Sequence, residues 1–179
     1  MSKNATPIQL NDVQNALNST TAWNNSDFPD IEYFSLLGEI KFDIKESGNL
    51  SMSLIQSNII DREEVVYAIV VDQRYLLKIG SATTNFDKRL KSYNCGQSKY
   101  RDNGTCSTTN YYVLQSLFNI AAKGHKVEIY TFLTSPIKIQ MDLRGLVWQL
   151  GYSPAKNIEK SILTSLKSNR KLPLMCTQT

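Results

Sequence analysis

The fold is decided by the stretch from Val65 to Gly80, which reads VVYAIVV-DQR-YLLKIG. Two β-rich apolar runs separated by three polar residues predict an antiparallel hairpin that is buried on both faces. Lys78 interrupts the second run, and a lysine buried there costs free energy unless a partner or a substrate phosphate neutralises it. The hairpin therefore marks both the centre of a sheet and a candidate functional position.

The length of the turn decides which face of the hairpin Lys78 occupies. Opposed residues of an antiparallel pair point to the same face, and the faces alternate along each strand. A two-residue turn within residues 72–74 puts Tyr67 and Lys78 on one face, whereas a three-residue turn puts them on opposite faces. We expect the shared face, which places a phenol beside an ammonium group.

The segment after the hairpin predicts a helix that begins after residues 84–85 and ends near Tyr93. At roughly 100° per residue, Phe86 and Leu90 lie at the centre of its apolar face. Arg89 borders that face and is a surface neighbour of Tyr93, four residues later. Arg89 either covers the edge of the core with its aliphatic stem or directs a cation into a site.

A second helix with an informative pattern is predicted after Ser153, with serine as the N-cap and Pro154 at the first helical position. Its apolar stripe consists of Ala155, Ile158, Ile162, Leu163 and Leu166. Glu159 falls inside this stripe, where a carboxylate is costly to bury unless it is paired or bound to a metal. A salt bridge to Arg89 and a metal-ligand role both stay open.

The tripeptides at 65–67 and 78–80, ten residues apart, resemble the paired motif of the GIY-YIG nuclease superfamily. The helix with Arg89 and the later Glu159 follow in that family's order, so the resemblance covers roughly residues 65 to 167. Two positions depart from the motif. Valine replaces the first glycine, and Lys78 replaces the tyrosine of the second triplet, as in some small restriction endonucleases of the superfamily.

The resemblance implies metal-dependent hydrolysis of phosphodiesters in double-stranded DNA, as by a sequence-specific type II restriction endonuclease. Tyr67 would take the proton from water, and Lys78 would favour its phenolate. Arg89 and Tyr93 would hold the scissile phosphate. Glu159 would bind one divalent cation, Mg²⁺ or Mn²⁺. Because one site per chain must cut two strands of a symmetric sequence, we also expect a homodimer.

Three other interpretations stay open. A non-catalytic DNA-binding module would use the same scaffold without cleavage, although all five candidate residues are present. A repair or homing nuclease of the superfamily would usually carry further DNA-binding modules, which we do not find in 179 residues. A small α/β protein unrelated to DNA is the third alternative, if the hairpin matches by chance.

The remaining pattern predicts an α+β fold, a small central three-stranded antiparallel sheet flanked by helices. Val127 to Leu133 is expected to be the third strand, after a helix at residues 111–123. The segment 136–150 fits either a strand or a helix, and we favour a helix that ends at Gly151. Polar residues 94–110 predict a long loop that could lie along DNA.

We divide the chain into an N-terminal extension (1–62), a nuclease core (63–170) and a C-terminal tail (171–179). Alternating residues from Ile40 to Leu54 predict a β-hairpin in the extension, either an edge of the sheet or a DNA-contacting arm. Lys167, Arg170 and Lys171, a basic cluster at the end of the last helix, are interpreted as solvated, without a role.

Bulk properties are those of an ordinary globular protein, with 41% hydrophobic and 20% charged residues. A net charge of +4 and a pI near 8.9 permit an anionic partner without requiring one. Cys95, Cys106 and Cys176, even with His125, fit no common zinc spacing, so free thiols are expected. Without a membrane-length apolar run or a signal peptide, we expect no membrane association and a location in the bacterial cytoplasm.

Overall fold

A six-stranded antiparallel sheet organises the computed structural model, which describes residues 6–47, 49–55 and 62–176. Its strands are β1 (Thr21–Ala22), β2 (Ser35–Ile44), β3 (Leu50–Ile55), β4 (Val65–Val71), β5 (Tyr75–Ala82) and β6 (Val127–Leu133). They are hydrogen-bonded in the order β1-β5-β4-β6-β2-β3. The helices are α1 (Val13–Ser19), α2 (Phe86–Ser92), α3 (Ser98–Asp102), α4 (Thr108–Ala122) and α5 (Pro154–Ser168). The predicted α+β class is therefore confirmed.

The three strands predicted for the central sheet, β4, β5 and β6, are adjacent in the structure. Every residue of β4 is buried, as its unbroken apolar run indicates. The N-terminal hairpin β2–β3 pairs with β6 through β2 and extends the same sheet, so it forms a sheet edge. The short strand β1 extends the opposite edge by pairing with β5.

A β-bulge, rather than the turn, determines where Lys78 lies. Three residues separate the paired Val71 and Tyr75, so the expectation of a two-residue turn is wrong. The register then shifts, because Val70 pairs with Leu76 whereas Ile69 pairs with Lys78. Leu77 is the extra residue, and this bulge returns Lys78 to the face of Tyr67. The expected shared face is confirmed, for a different physical reason.

The two faces of the sheet bury separate clusters. One face carries Tyr67 and Ile69 and packs against α1, α2 and α4. The other carries Val66 and Ala68 and packs against α5 and an aromatic group from the N-terminal region, Trp23, Phe28 and Phe34. The two helices predicted to carry site residues, α2 and α5, therefore lie on opposite faces.

Residues 137–152 form a β-ribbon, so the favoured helix in this segment is wrong. Strand β7 (Ile137–Leu143) pairs with β8 (Leu146–Tyr152), and these two strands make a separate sheet. Arg144 and Gly145 form the turn with φ of +55° and +79°, the left-handed values that a tight two-residue hairpin needs. Gly151 follows several apolar residues and was therefore also compatible with the end of a helix, which is why the pattern misled.

Helices elsewhere begin close to the predicted points. Asn85 caps α2 by accepting a hydrogen bond from the backbone N–H of Lys88 at 2.8 Å. The predicted long loop at 94–110 instead contains a 3-10 turn, α3 and the first turn of α4, which Ser107 caps. Within the described residues, no helix combines the length and the apolar character needed to cross a membrane.

Residues 171–176 lie against the sheet, so Lys171 is half-buried, whereas Lys167 and Arg170 are exposed as expected. The backbone N–H of Met175 donates to the carbonyl oxygen of Leu77 at 2.8 Å, at the bulge itself. Leu174 donates through its backbone N–H to the hydroxyl of Thr20 at 3.1 Å. Lys171 forms an ion pair with Asp27 at 2.6 Å, which lowers the pKa of that carboxyl. The last part of the predicted tail, 177–179, lies outside the described residues.

Candidate active site

A hydrogen-bonded group of two phenols and one guanidinium forms the centre of the site. The hydroxyls of Tyr67 on β4 and Tyr93 after α2 lie 2.6 Å apart, and both residues are fully buried. Arg89 donates from Nε to the hydroxyl of Tyr67 at 3.1 Å and from Nη2 to that of Tyr93 at 3.2 Å. Three of the five predicted site residues therefore make one network.

Helix geometry explains how α2 supplies two of these groups. Arg89 and Tyr93 are four residues apart, so the guanidinium stacks over the Tyr93 ring at 4.9 Å. Phe86, one turn before Leu90, packs its ring against that of Tyr67 at 5.5 Å between centroids. The buried face of α2, with Phe86 and Leu90, thus fixes Arg89 against the edge of the core, as its sequence position predicts.

Gly80 leaves the room that the Tyr67 ring needs. The two residues are paired across β4 and β5, and a Cβ added at Gly80 would lie 2.4 Å from both Cζ and Oη of Tyr67. That separation is far inside van der Waals contact, so a side chain at this position would displace the phenol. The glycine of the second triplet is therefore explained by the tyrosine of the first.

Burial controls the protonation of the two phenols. Burial raises the pKa of Tyr67 above its usual range, while the cations Arg89 and Lys78 act in the opposite direction. Burial likewise raises the pKa of Tyr93. At Arg89, burial opposes the charge, but the two phenols outweigh it and the pKa is raised. The resting site consequently holds two neutral phenols beside the guanidinium of Arg89.

The C-terminal segment contacts the side chain of Lys78. The residue is 8% exposed, and its Nζ donates to the carbonyl oxygen of Met175 at 3.5 Å. The next residue, Cys176, accepts from the backbone N–H of Ile79 at 3.1 Å through its Sγ. Sequence reasoning missed this support, because nothing in residues 171–176 indicates where they dock.

Glu159 is half-buried on α5 and lies against the end of β5. Its Oε2 accepts a hydrogen bond from the hydroxyl of Ser81 at 2.5 Å. Among the described residues, no cation lies within ion-pair distance of this carboxylate, so the alternative of a salt bridge to Arg89 does not hold. Its charge nevertheless contributes to raising the pKa of Arg89.

Ser81 was not singled out from the sequence, although it directly follows the second triplet. It pairs with Val66, so it lies on the face of the sheet that α5 covers. A polar residue on that apolar face was the available signal. The carboxylate and the hydroxyl together give oxygen donors, the type that Mg²⁺ prefers.

Glu64, just before β4, is a further buried acidic residue that sequence reasoning missed. Ser153 does not cap α5 with its side chain. Instead, its hydroxyl donates to Oε2 of Glu64 at 2.8 Å, and the backbone N–H of Ala155 donates to the same oxygen at 3.0 Å. The helix that carries Glu159 thus receives its N-terminal cap from the residue that precedes the strand carrying Tyr67.

The three cysteines are free thiols, as expected. The sulfur atoms of Cys95 and Cys106 lie 3.5 Å apart, and burial together with that neighbour raises the pKa of Cys106 to about 11. His125 is engaged elsewhere, with its Nδ1 2.7 Å from a carboxylate oxygen of Asp72. No group of three metal-binding side chains of the His, Cys, Asp and Glu types occurs within the described ranges.

Comparison with solved structures relates this fold to two nucleases. The restriction endonuclease HPY188I, in complex with product DNA, is 34% identical with a TM-score of 0.60, and the match covers 100% of this chain and 96% of that chain. A mutant of bacteriophage T4 EndoII is 20% identical with a TM-score of 0.53, covering 78% and 92% respectively, and supports the fold alone. No protein-family model and no curated protein sequence matches the chain.

Proposed function

The chain belongs to the family of the restriction endonuclease HPY188I, and we propose that it cuts double-stranded DNA at a specific sequence as a GIY-YIG-type, type II restriction endonuclease. The network of Tyr67, Tyr93 and Arg89 is the observation that carries this proposal. Two buried phenols and a half-buried guanidinium offer proton acceptors and a forked cation at one place. Phosphodiester hydrolysis needs that combination, because both proton transfer and charge stabilisation occur in its transition state.

Glu159 is the residue that would hold a divalent metal ion. Its carboxylate has no cation partner among the described residues, and the hydroxyl of Ser81 orients it. One carboxylate with further oxygen supplied by water and substrate suits Mg²⁺, and Mn²⁺ prefers similar ligands. The bound ion would supply Lewis-acid polarisation of the scissile phosphate.

Tyr67 would accept the proton of the attacking water. Its phenol is neutral in the resting site, since burial raises its pKa. The cations Arg89 and Lys78 act on that pKa in the opposite direction, and they are placed to stabilise a phenolate once it forms. Lys78 can do so because the bulge at Leu77 turns it to this face.

Arg89 would hold the scissile phosphate. Its Nε and Nη2 donate to the two phenols, which fix the plane of the guanidinium. A planar fork of donors matches the geometry of phosphate oxygens and retains its charge at any working pH. The phenol of Tyr93 orients this fork and would add a hydrogen bond to the phosphate.

The exposed ribbon β7–β8 supports a homodimer. By register, one of its faces carries Ile137, Met141, Leu146 and Tyr152, which are 44–64% exposed. A two-stranded ribbon alone is marginally stable in water. A second copy would cover this apolar face through a symmetric contact and would bring a second site to the other DNA strand.

The oligomer is tested by the mass in solution, alone and on DNA. Leu146→Lys places a charge on the apolar face and is expected to give monomers. Val147→Lys is the matched control, since Val147 is 57% exposed but pairs with Asp142 on the opposite face. A wild-type mass of one chain, both free and on DNA, would reject the dimer.

The function itself is tested by cleavage of plasmid and phage DNA with Mg²⁺. Wild type should give discrete bands, and Glu159→Gln should give none at equal fold and DNA affinity. Glu32→Gln, which removes an exposed glutamate outside the site, should cut like wild type. Intact DNA in every reaction, with tight binding, would instead identify a non-catalytic DNA-binding module.

A further inference from the structure

Glu64 joins three parts of the chain at the point where β4 begins. It is 4% exposed, and its Oε2 accepts from the hydroxyl of Ser153 at 2.8 Å and the backbone N–H of Ala155 at 3.0 Å. Its backbone carbonyl accepts from Thr134 twice, from the N–H at 3.0 Å and from the hydroxyl at 2.7 Å. Both ends of the β7–β8 ribbon therefore meet at one residue.

This arrangement carries two energetic costs. The φ of Glu64 is +57°, a left-handed conformation that is unfavourable for a residue with a Cβ. Its carboxylate is also largely removed from water. The helix N-terminus compensates, because its free N–H groups and the positive end of its dipole favour a negative charge. The carboxylate of Glu64 therefore contacts the N-terminus of α5, and any effect that it has on the site passes through this helix.

The helix that Glu64 caps carries Glu159, and the strand that follows Glu64 carries Tyr67. Glu159 lies four residues after Ala155, so about one helical turn, or about 6 Å, separates it from the bonded N–H. Tyr67 lies three residues after Glu64, within the rigid centre of the sheet. Among the described contacts, the carboxylate of Glu64 and the Ser81 hydroxyl are the polar links that tie α5 to the hairpin.

We propose that Glu64 is a positioning residue that sets the place of the Glu159 carboxylate relative to Tyr67, and thereby the affinity of the site for its divalent metal. This inference rests on the proposed function. Residues that orient a metal ligand without touching the metal typically change its affinity by about 10- to 100-fold when removed. Glu64 would act in that way through the N-terminus of α5.

Binding of Mn²⁺ to the protein–DNA complex tests this directly, by electron paramagnetic resonance of the free ion. Tyr67→Phe serves as the background so that cleavage of the DNA is slow during the titration. Added Glu64→Ala should raise the Kd for Mn²⁺ by about 10-fold or more, with the affinity for DNA without metal unchanged. Added Glu64→Gln keeps an oxygen acceptor for both donors and should restore most of the Mn²⁺ affinity.

Ser153→Ala covers the case in which Glu64→Ala fails to fold. It removes one of the two donors and leaves the backbone N–H of Ala155, so a smaller rise in the Kd is expected. Equal Mn²⁺ affinity in folded Glu64→Ala and in the background would overturn the positioning role. A background that binds no Mn²⁺ on DNA would instead remove the metal site itself, and with it this part of the proposed function.

Discussion

Tyr67 and Gly80 are paired across β4 and β5 so closely that a Cβ at Gly80 would lie 2.4 Å from the phenolic oxygen. The glycine is therefore part of the site although it offers no chemical group. It allows the ring of Tyr67 to lie flat against the neighbouring strand, where Tyr93 and Arg89 reach its hydroxyl. The two triplets of the motif are thus one packing unit.

Gly80→Ala should destabilise the protein and abolish cleavage. Overpacking in a close-packed interior typically costs about 1–3 kcal/mol, and here the displaced atoms are those of the proposed base. The Tm and the cleavage rate measure the two effects. Gly151→Ala is the control, because a Cβ there meets nothing within 4 Å. Equal behaviour of the two variants would contradict the close contact.

Tyr67→Phe should reduce the cleavage rate by about 10²- to 10⁴-fold, the usual contribution of a general base. The ring and its packing on Phe86 remain, so the affinity for DNA should change little. Tyr93→Phe keeps the base and loses only an orienting hydroxyl, so a smaller loss is expected. The reverse order in single-turnover rates would assign the base to Tyr93.

The cleavage rate should rise with pH through the neutral and mildly alkaline range. A general base works when it is deprotonated, and burial raises the pKa of Tyr67, which moves the rise towards higher pH. The measurement is a pH–rate profile at saturating Mg²⁺, with Tyr67→Phe as the variant that should lose the slope. A profile of wild type that falls between neutral and mildly alkaline pH would be inconsistent with this base.

Arg89→Lys should impair cleavage although the substitution keeps the positive charge. Nε and Nη2 donate to two different phenols, and a lysine ammonium has neither the fork nor the planar stacking on Tyr93. Loss of a hydrogen bond to a charged group costs about 1.5–3 kcal/mol, which corresponds to roughly 10- to 150-fold in rate. Lys88→Ala, on the exposed side of α2, is the matched control in the same assay.

Local patterns in the sequence predict the central hairpin, β6, α2 and α5, because each has a clear period and a recognisable start. Helical spacing makes Arg89 and Tyr93 neighbours, whereas their grouping with Tyr67 was implied by the family resemblance. Arg89 and Tyr93 lie on one helix, and Tyr67 lies on the strand that this helix covers. Contacts between neighbours in a periodic element follow from spacing alone.

Contacts between distant segments were not predictable in this way. The ribbon β7–β8 was ambiguous because its turn depends on left-handed backbone at Arg144, which composition does not show. The docking of residues 171–176 behind Lys78 and the cap from Glu64 to α5 join residues about 90 or more positions apart. No single-sequence period encodes such pairs.

The bulge at Leu77 makes the site depend on how the two strands pair as well as on the identity of their residues. If the same residues paired without that interruption, Leu77 would oppose Ile69, and Lys78 would oppose Ala68 on the face covered by α5. Every residue named in the two triplets would still be present, yet the ammonium would be separated from Tyr67 by the sheet. A motif search would score such a chain as intact, although it would lack a cation beside the phenol.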